Sequence, residues 1–339
     1  MRGRGDVSAM QFSWSGVVLA TILGAFAAGG SSLAAPAPAC GQACLEGFAD
    51  RYMTALAAHD TRGLPLAKLP KFTENNVALE IGDGLWGTIG EVGPTTLKVS
   101  DPATGTVGWF GTVRERDVWS YYTMRMKITG GRIAEVETLV NRKAVFGVGP
   151  YGDPTKLTFD PLYKEPVPAG QRLPRAKLVA LADGYFSTLQ QNDGTIRTAF
   201  DDGCLRQENG TLTAGDPDPK SGRSHLKCRQ QFETGTYRWD DRVRDRRYFL
   251  VDEAHGLVMA SMFIDHSGKT TNYKLKDGTP ALAPIRAPHD SHVLELFKVK
   301  NGKLIRIEAT FISVPYRAPS PWVLDGAETR HPLTGYGLP

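Results

Sequence analysis

The sequence has little net charge, because its 339 residues include 40 Lys and Arg against 36 Asp and Glu, a formal net charge of +4. Arginine and aspartate are interleaved, so the sequence lacks the concentrated basic face that nucleic-acid binding needs. It also lacks a nucleophile elbow, a P-loop, a dinucleotide fingerprint and an HExxH motif. We therefore expect no nucleic-acid partner, no cofactor and no metal site.

The N-terminus contains an apolar run, "GVVLATILGAFAAGG", that is too short and too rich in glycine to favour a spanning helix. Positive charge in "MRGRG" precedes it, and small residues in "SSLAAPAPA" follow it, an order that is typical of a secretory signal. We predict a signal peptide over residues 1–39, a secreted or periplasmic location and no stable membrane span after cleavage. An uncleaved membrane anchor is the alternative.

Cysteine is scarce: the four residues are Cys40, Cys44, Cys204 and Cys228. Thiols outside the cytoplasm tend to be oxidised, and proximity along the chain favours the pairs 40–44 and 204–228. A zinc site is the rival interpretation, but the spacing differs from that of a zinc ribbon and His225 is the nearest histidine. We therefore predict structural disulfides.

Three stretches of the chain recur in the same order, which indicates an internal duplication. A stretch with helical spacing of its apolar residues occurs twice, and so do a turn with aspartate and glycine and a hairpin tip. The pairs are "FADRYMTALAAHD" with "LADGYFSTLQQND", "SDPATGTV" with "VDEAHGLV", and "ITGGRIAEVETL" with "VKNGKLIRIEAT".

Each copy reads as a helical segment followed by several strands, an order typical of an α+β domain with helices packed on an antiparallel sheet. We predict a first domain over residues 40–146 and a second over 173–316, packed together as an intrachain pseudo-dimer. A Pro/Gly-rich linker over 147–172 joins them, and a C-terminal tail spans 317–339.

The pattern resembles the NTF2-like (SnoaL-like) superfamily, and further resembles secreted fungal and bacterial proteins of unknown function that contain two such units. The resemblance implies two cone-shaped domains, each with N-terminal helices on a curved antiparallel sheet and a cavity between them. Some members of the superfamily use this cavity for catalysis on small hydrophobic molecules, and others use it only for binding. The stretches that carry the resemblance are "FTENNV", "GCLRQENG", "RRYFLVDEAHGLV" and "DSHVLELFKVKNGKLIRI".

The second hairpin allows a register to be predicted. If Asn301 and Gly302 are the turn residues, His292 lies opposite Phe311 on a face that is otherwise apolar. We therefore expect His292 to line the cavity as a catalytic acid or base; a buried, inert histidine is the alternative. His289 lies on the opposite face, so the two histidines predict no shared metal site.

The equivalent face of the first copy carries Tyr121, a second catalytic candidate, and Arg125, a ligand-binding candidate. A buried arginine requires a partner, and we expect Glu74 or Asp101 to supply it. The two cavities would then differ in chemistry.

The places of four charged residues in the sequence suggest roles in ligand binding. Glu74 and Glu208 follow the first helix of each copy and are ligand-binding candidates, or else turn features. Asp245 and Arg247 lie in a charged run that either forms a solvated strand edge or grips a substrate carboxylate at a cavity mouth.

The functional hypothesis is an exported protein with a cavity for a small hydrophobic or aromatic molecule. If it is an enzyme, the resemblance implies cofactor-independent lyase, isomerase or hydrolase chemistry. A non-catalytic binding protein and an interaction module that uses an exposed sheet face are the alternatives.

Overall fold

The computed structural model describes residues 40–143 and 149–323, all of which belong to one compact unit. The predicted signal peptide and most of the predicted tail lie outside the described residues. Within the described part of the chain, no helix has the length and apolar character needed to cross a membrane.

The first half begins with helix α1, Gln42–Ala57, and continues with seven strands. Apolar residues three or four positions apart, such as Leu45, Phe48, Tyr52 and Leu56, turn one face of α1 towards the sheet. The strand order is β2-β1-β7-β6-β5-β3, and β4 also pairs with β5. The strands are β1 (Leu66–Glu74), β2 (Val77–Leu79), β3 (Ile89–Val92), β4 (Leu97–Asp101), β5 (Thr106–Glu115), β6 (Val118–Thr129) and β7 (Arg132–Asn141).

The second half begins with helix α2, Arg175–Gln191, and adds the short helix α3, Cys228–Glu233. Its sheet has the order β10-β11-β14-β15-β8-β9, and a separate small sheet pairs β12 with β13. The strands are β8 (Phe200–Glu208), β9 (Thr211–Ala214), β10 (Arg242–Asp252), β11 (Leu257–His266), β12 (Asn272–Lys274), β13 (Pro280–Leu282), β14 (His289–Lys300) and β15 (Lys303–Val314).

The two large sheets have matching strand orders, since β2-β1-β7-β6-β5 in one corresponds to β9-β8-β15-β14-β11 in the other. The mixed α+β class is therefore as predicted, with few helices and large, curved but open sheets. The prediction of purely antiparallel sheets was wrong, because β1 pairs with β7, and β8 with β15, in parallel. Each of these strands is the first after its helix, and it pairs with the last strand of the same half.

The two sheets pack face to face. Phe110 and Leu139 of the first sheet share one apolar cluster with Phe263, Leu294 and Ile312 of the second. Helices α1 and α2 cover the opposite faces of their sheets, each through its own cluster. Both faces of each sheet are thus largely covered, and the order of layers is helix, sheet, sheet, helix.

The segment between β7 and α2 contains three short 3-10 turns, Pro154–Lys156, Pro161–Lys164 and Ala169–Gln171. Its Tyr163 and Val167 are buried, so this proline-rich segment packs against the sheets along its described length.

The predicted disulfides are confirmed: Cys40 is bonded to Cys44, and Cys204 to Cys228. The second one ties β8 to α3 within the core of the second half. The described residues therefore contain no free cysteine.

Candidate functional site

A cavity of about 140 Å³ lies between α2 and the second sheet. Strand β14 contributes Ser291, Val293 and Glu295, because alternate residues of a strand face the same side. Helix α2 contributes Tyr185 and Leu189. The volume is close to that of the roughly 150 Å³ apolar cavity that admits a benzene molecule.

Arg206 of β8 lies at the base of the cavity and is fully buried. Its Nε donates to Thr213 Oγ1 at 3.0 Å, its Nη1 to the Tyr185 hydroxyl at 3.2 Å, and its Nη2 to Gln231 Oε1 at 2.6 Å and to the Tyr237 hydroxyl. Four of the five N–H groups of the guanidinium therefore already have protein partners.

Glu208 lies beside this arginine, with its Oε2 3.4 Å from Arg206 Nε. About a fifth of the Glu208 side chain is exposed, in contrast to the fully buried Arg206. The ion pair therefore joins the base of the cavity to its more accessible part.

Glu295 is the second carboxyl group of the cavity, and only 1% of its surface is exposed. Burial, reinforced by the negative charge of Glu208, raises the pKa of Glu295 to about 8. Its Oε2 atom is buried and has no hydrogen-bond partner among the described residues. An unpaired buried carboxyl oxygen is costly, so this atom marks a position where a ligand would find a partner.

Asp240 is the third carboxyl group that lines the cavity. Burial raises the pKa of Asp240 well above its usual range, and the charges of Asp241 and Glu208 raise it further. Acids with raised pKa values in one concave site are typical of functional sites.

The mouth of the cavity is formed by two loops that His266 bridges. Its Nδ1 lies 2.8 Å from the Trp239 carbonyl oxygen, and its Nε2 lies 2.8 Å from the Ile285 carbonyl oxygen. Trp239, Ile285 and His289 all line the cavity. The packing of the His289 ring in this loop region lowers its pKa through burial.

The predicted position of His292 was wrong, although the turn at Asn301 and Gly302 is as expected, with Lys300 opposite Lys303. A β-bulge shifts the register beyond this turn, so His292 lies opposite Ile312 rather than Phe311. His292 therefore faces the first sheet, fully buried and stacked on Phe263 at 4.4 Å. His292 is not among the residues that line the cavity described above.

Three predicted residues meet at a residue that the sequence did not single out, Glu137 of β7. Arg125 donates to Glu137 Oε2 at 3.0 Å, Arg247 binds both carboxylate oxygens of Glu137, and His292 Nε2 lies 3.5 Å from Oε1. Positive charge from the two arginines outweighs burial and lowers the pKa of Glu137. The expected partners of Arg125, Glu74 or Asp101, were wrong, because a register shift in the first hairpin places Glu137 opposite it.

Ser261 completes a Ser, His and Glu set in this contact but does not form a hydrolytic triad. Both Ser261 Oγ, at 3.2 Å, and Glu137 approach the same His292 nitrogen, Nε2. A triad needs the acid on one ring nitrogen and the hydroxyl on the other. All three side chains are also fully buried.

The remaining candidates are dispersed. Tyr121 lies in the first sheet against Tyr151, with its ring 5.3 Å away, and burial raises the pKa of Tyr121. Asp245 pairs with Arg244 at 2.6 Å. Neither Asp245 nor Arg247 lines the cavity described above, and their role in ligand binding stays a prediction.

In the first half, the space that corresponds to the cavity is occupied by side chains. Trp86 packs on Tyr52, the residue that aligns with Tyr185. The Trp86 Nε1 donates to the Tyr52 hydroxyl at 3.1 Å. Glu74, which aligns with Glu208, accepts from the Leu85 backbone at 2.8 Å and pairs with Arg142. The two halves therefore differ at this position.

Of the charged residues that line the cavity, Glu208 was a candidate from the sequence, whereas Arg206, Asp240 and Glu295 were not. Glu295 lies on the face of β14 opposite His292, and this face, not the one that carries His292, lines the cavity. The sequence signal that could have pointed to Glu295 is an acidic residue inside an otherwise apolar strand, "HVLELFKV". Among the described residues, no group of three or more His, Cys, Asp and Glu side chains is arranged to hold a metal ion.

Comparison with known families finds a match in the part of the chain that supplies most of the lining of this cavity. Residues 171–311 match a family described as a domain of unknown function, DUF8021. The match covers less than half of the chain and includes α2 and the second sheet up to Phe311. No curated protein matches the chain.

Proposed function

We propose that the protein is exported and consists of two NTF2-like units, residues 40–146 and 173–316, that pack as an intrachain pseudo-dimer. The matching strand orders, the outer helix on each sheet and the contact between the sheets support this proposal. Two disulfides are what an oxidising compartment favours. The mass of the mature protein recovered outside the host cytoplasm should correspond to a chain that begins near Cys40; a mass that includes residues 1–39 would contradict export with cleavage.

The function proposed for the second unit is binding of a small, partly hydrophobic molecule in the cavity under α2. The observation that carries this proposal is the buried Glu295 Oε2 atom, which lines the cavity without a partner. Apolar walls from Leu189, Met262 and Val293 would shelter the body of such a molecule.

Native mass spectrometry of protein purified from its host tests binding. We expect a co-purifying small molecule that is released on denaturation. A matched variant, Val293→Phe, fills the cavity as Trp86 fills the corresponding space of the first half, and should lose the adduct while the protein stays folded. Protein without any adduct, or an adduct that persists in Val293→Phe, would count against the cavity as the binding site.

A second candidate function is cofactor-independent acid/base catalysis, and the protonation of Glu295 favours it. A carboxyl group with a pKa of about 8 changes its charge near neutral pH, as a general acid or base must. The Tyr185 hydroxyl and Glu208 lie in the same cavity and would position a polar group of the substrate.

Incubation of the recovered molecule with the protein separates the two functions. Catalysis predicts that the molecule is consumed by the native protein and left intact by Glu295→Gln. Recovery of the unchanged molecule from both proteins would leave binding as the function and rule out catalysis on that compound.

A further inference from the structure

The charge balance of the second-half cavity restricts the kind of ligand that it can take. Three carboxyl groups face it, from Glu208, Asp240 and Glu295, against a single guanidinium from Arg206. If all of them were ionised, the sum would be three negative charges and one positive charge. The remaining titratable groups that face Glu295 across the cavity are neutral or weakly basic side chains, namely Tyr185, Tyr237 and His289.

Arg206 is not available to neutralise an incoming anion. Four of its five N–H groups already donate to Thr213, Tyr185, Gln231 and Tyr237, and Glu208 lies beside its Nε. A ligand carboxylate would therefore meet carboxyl groups without a free guanidinium to bind it, and desolvating it there would be costly.

The aromatic part of the cavity lining supplies what a cation needs, and the Arg206 guanidinium already lies 5.2 Å from the Tyr237 ring. The rings of Tyr237 and Trp239 meet edge to face, 5.4 Å apart, and Tyr185 contributes a third ring to the lining. Aromatic faces attract cations through their quadrupoles, and cages of such rings recognise ammonium groups. A buried carboxyl oxygen without a partner, Glu295 Oε2, is the remaining element of such a site.

We infer that the cavity binds a small organic cation, an amine with a compact apolar body, whose ammonium group is held by Glu295 between the rings of Tyr185, Tyr237 and Trp239. This inference rests on the proposed binding function and adds the chemical class of the ligand. The ammonium N–H donates to Glu295 Oε2, and the apolar body packs on Met262 and Val293.

Proton release accompanies binding of the amine. In the empty cavity, burial and the charge of Glu208 favour the protonated form of Glu295. The ammonium group stabilises the carboxylate instead, so the proton of Glu295 passes to solvent as the amine binds. Affinity for an amine must therefore rise with pH until the amine itself loses its proton, whereas affinity for a neutral analogue must not.

A set of three probes of similar shape tests the inference: benzylamine, benzyl alcohol and benzoate, which are cationic, neutral and anionic. Their dissociation constants would be measured by NMR titration at about pH 6.5 and about pH 8.5, a range that spans the titration of Glu295. At the higher pH we expect benzylamine to bind about tenfold more tightly than benzyl alcohol, the advantage of a charge-assisted hydrogen bond over a neutral one. We expect benzylamine to lose about tenfold in affinity at the lower pH, and benzoate to bind most weakly at both.

Glu295→Gln is the matched variant, because it keeps the shape of the side chain and removes its charge. We expect it to abolish the advantage of benzylamine and to leave benzyl alcohol unchanged. Glu308→Gln is the control, since Glu308 is equally buried, also has a raised pKa and belongs to the same sheet, but does not line this cavity. If Glu295→Gln does not fold, the pH comparison in the native protein still decides the question.

The possible failures are distinct. Benzyl alcohol that binds as tightly as benzylamine at both pH values, or benzoate that binds best, would overturn the cationic ligand and leave the binding function standing. Binding of none of the three probes would overturn both the inference and the proposed cavity function.

Discussion

The stability of the protein should depend on pH through Glu295, and the structure allows the size of this dependence to be worked out. The folded protein holds the Glu295 proton with a pKa of about 8, whereas the ordinary value is 4.5. Because the folded state binds this proton more tightly, Glu295 favours folding below its unfolded pKa. This contribution is lost as pH rises through the folded pKa.

The difference between the two pKa values is about 3.5, and each unit corresponds to about 1.36 kcal/mol. Between about pH 5 and about pH 8.5, the free energy of unfolding should therefore fall by about 4 kcal/mol on account of this one group. Glu295→Gln cannot titrate, so it escapes the loss. At about pH 5 the variant and the native protein should differ by less than about 1 kcal/mol, because glutamine resembles the protonated acid in shape.

Urea denaturation of both proteins at the two pH values is the assay. We expect Glu295→Gln to be more stable than the native protein at the higher pH. Between the lower and the higher pH, the free energy of unfolding of the variant minus that of the native protein should increase by about 4 kcal/mol. Glu233→Gln, which changes a partly exposed carboxylate paired with Arg229, controls for the loss of a charge. A difference between Glu295→Gln and the native protein that is the same at both pH values would refute the argument that Glu295 is buried with its proton.

Three further predictions concern the rest of the fold. Replacing Cys204 and Cys228 by alanine should cost about 3.5 kcal/mol of stability in urea denaturation, against about 2 kcal/mol for the other disulfide, since the closed loop is longer; equal costs would contradict this. Glu137→Gln should cost about 3 to 5 kcal/mol because it removes the counter-charge of Arg247 and leaves the buried Arg125 with Glu135 alone; joint apolar replacement of Glu137 and both arginines should cost less. His266→Leu should speed hydrogen exchange in residues 267–288 by about tenfold, with the β14–β15 hairpin unchanged, because it removes the bridge between the two mouth loops.

Local signals in the sequence predicted local structure well. The Asn301 and Gly302 turn requires two residues with positive φ, which asparagine and glycine supply, and both have it. Proximity of the cysteines along the chain predicted both disulfides. The mixed α+β class followed from the order of helical and alternating segments.

The position of the site could not be predicted in the same way, because alternation separates the two faces of β14 without showing which of them meets the other sheet, and the partners of each face depend on one extra residue in β15. Leu304 pairs with Val299 and Arg306 pairs with Lys298, so Ile305 is added between two ladder pairs. The residues of this stretch are apolar on both faces, and nothing in their alternation locates the bulge. The extra residue places Ala309 opposite Glu295 and Phe311 opposite Val293, on the cavity side of β14, instead of on the face of His292.

The contact between the two halves depends on residues that are far apart in the chain, which explains why Glu137 was overlooked. Arg247 and Glu137 are separated by 110 positions. Their pairing requires the two sheets to be stacked first, and no spacing rule within one strand reports it. Long-range partners of this kind become visible only when the tertiary arrangement is known.

The face-to-face stacking of the sheets has a consequence for how the chain can be divided. A fragment cut at the limits of the family match, residues 171–311, would carry Phe263 and Leu294 on a bare surface. It would also lose the closing segment, in which Trp322 donates to Thr73 Oγ1 at 3.0 Å. Such a piece would be prone to aggregation. The borders of a recognisable sequence segment are therefore not those of an autonomous folding unit here, and heterologous production should keep residues 40–323 together.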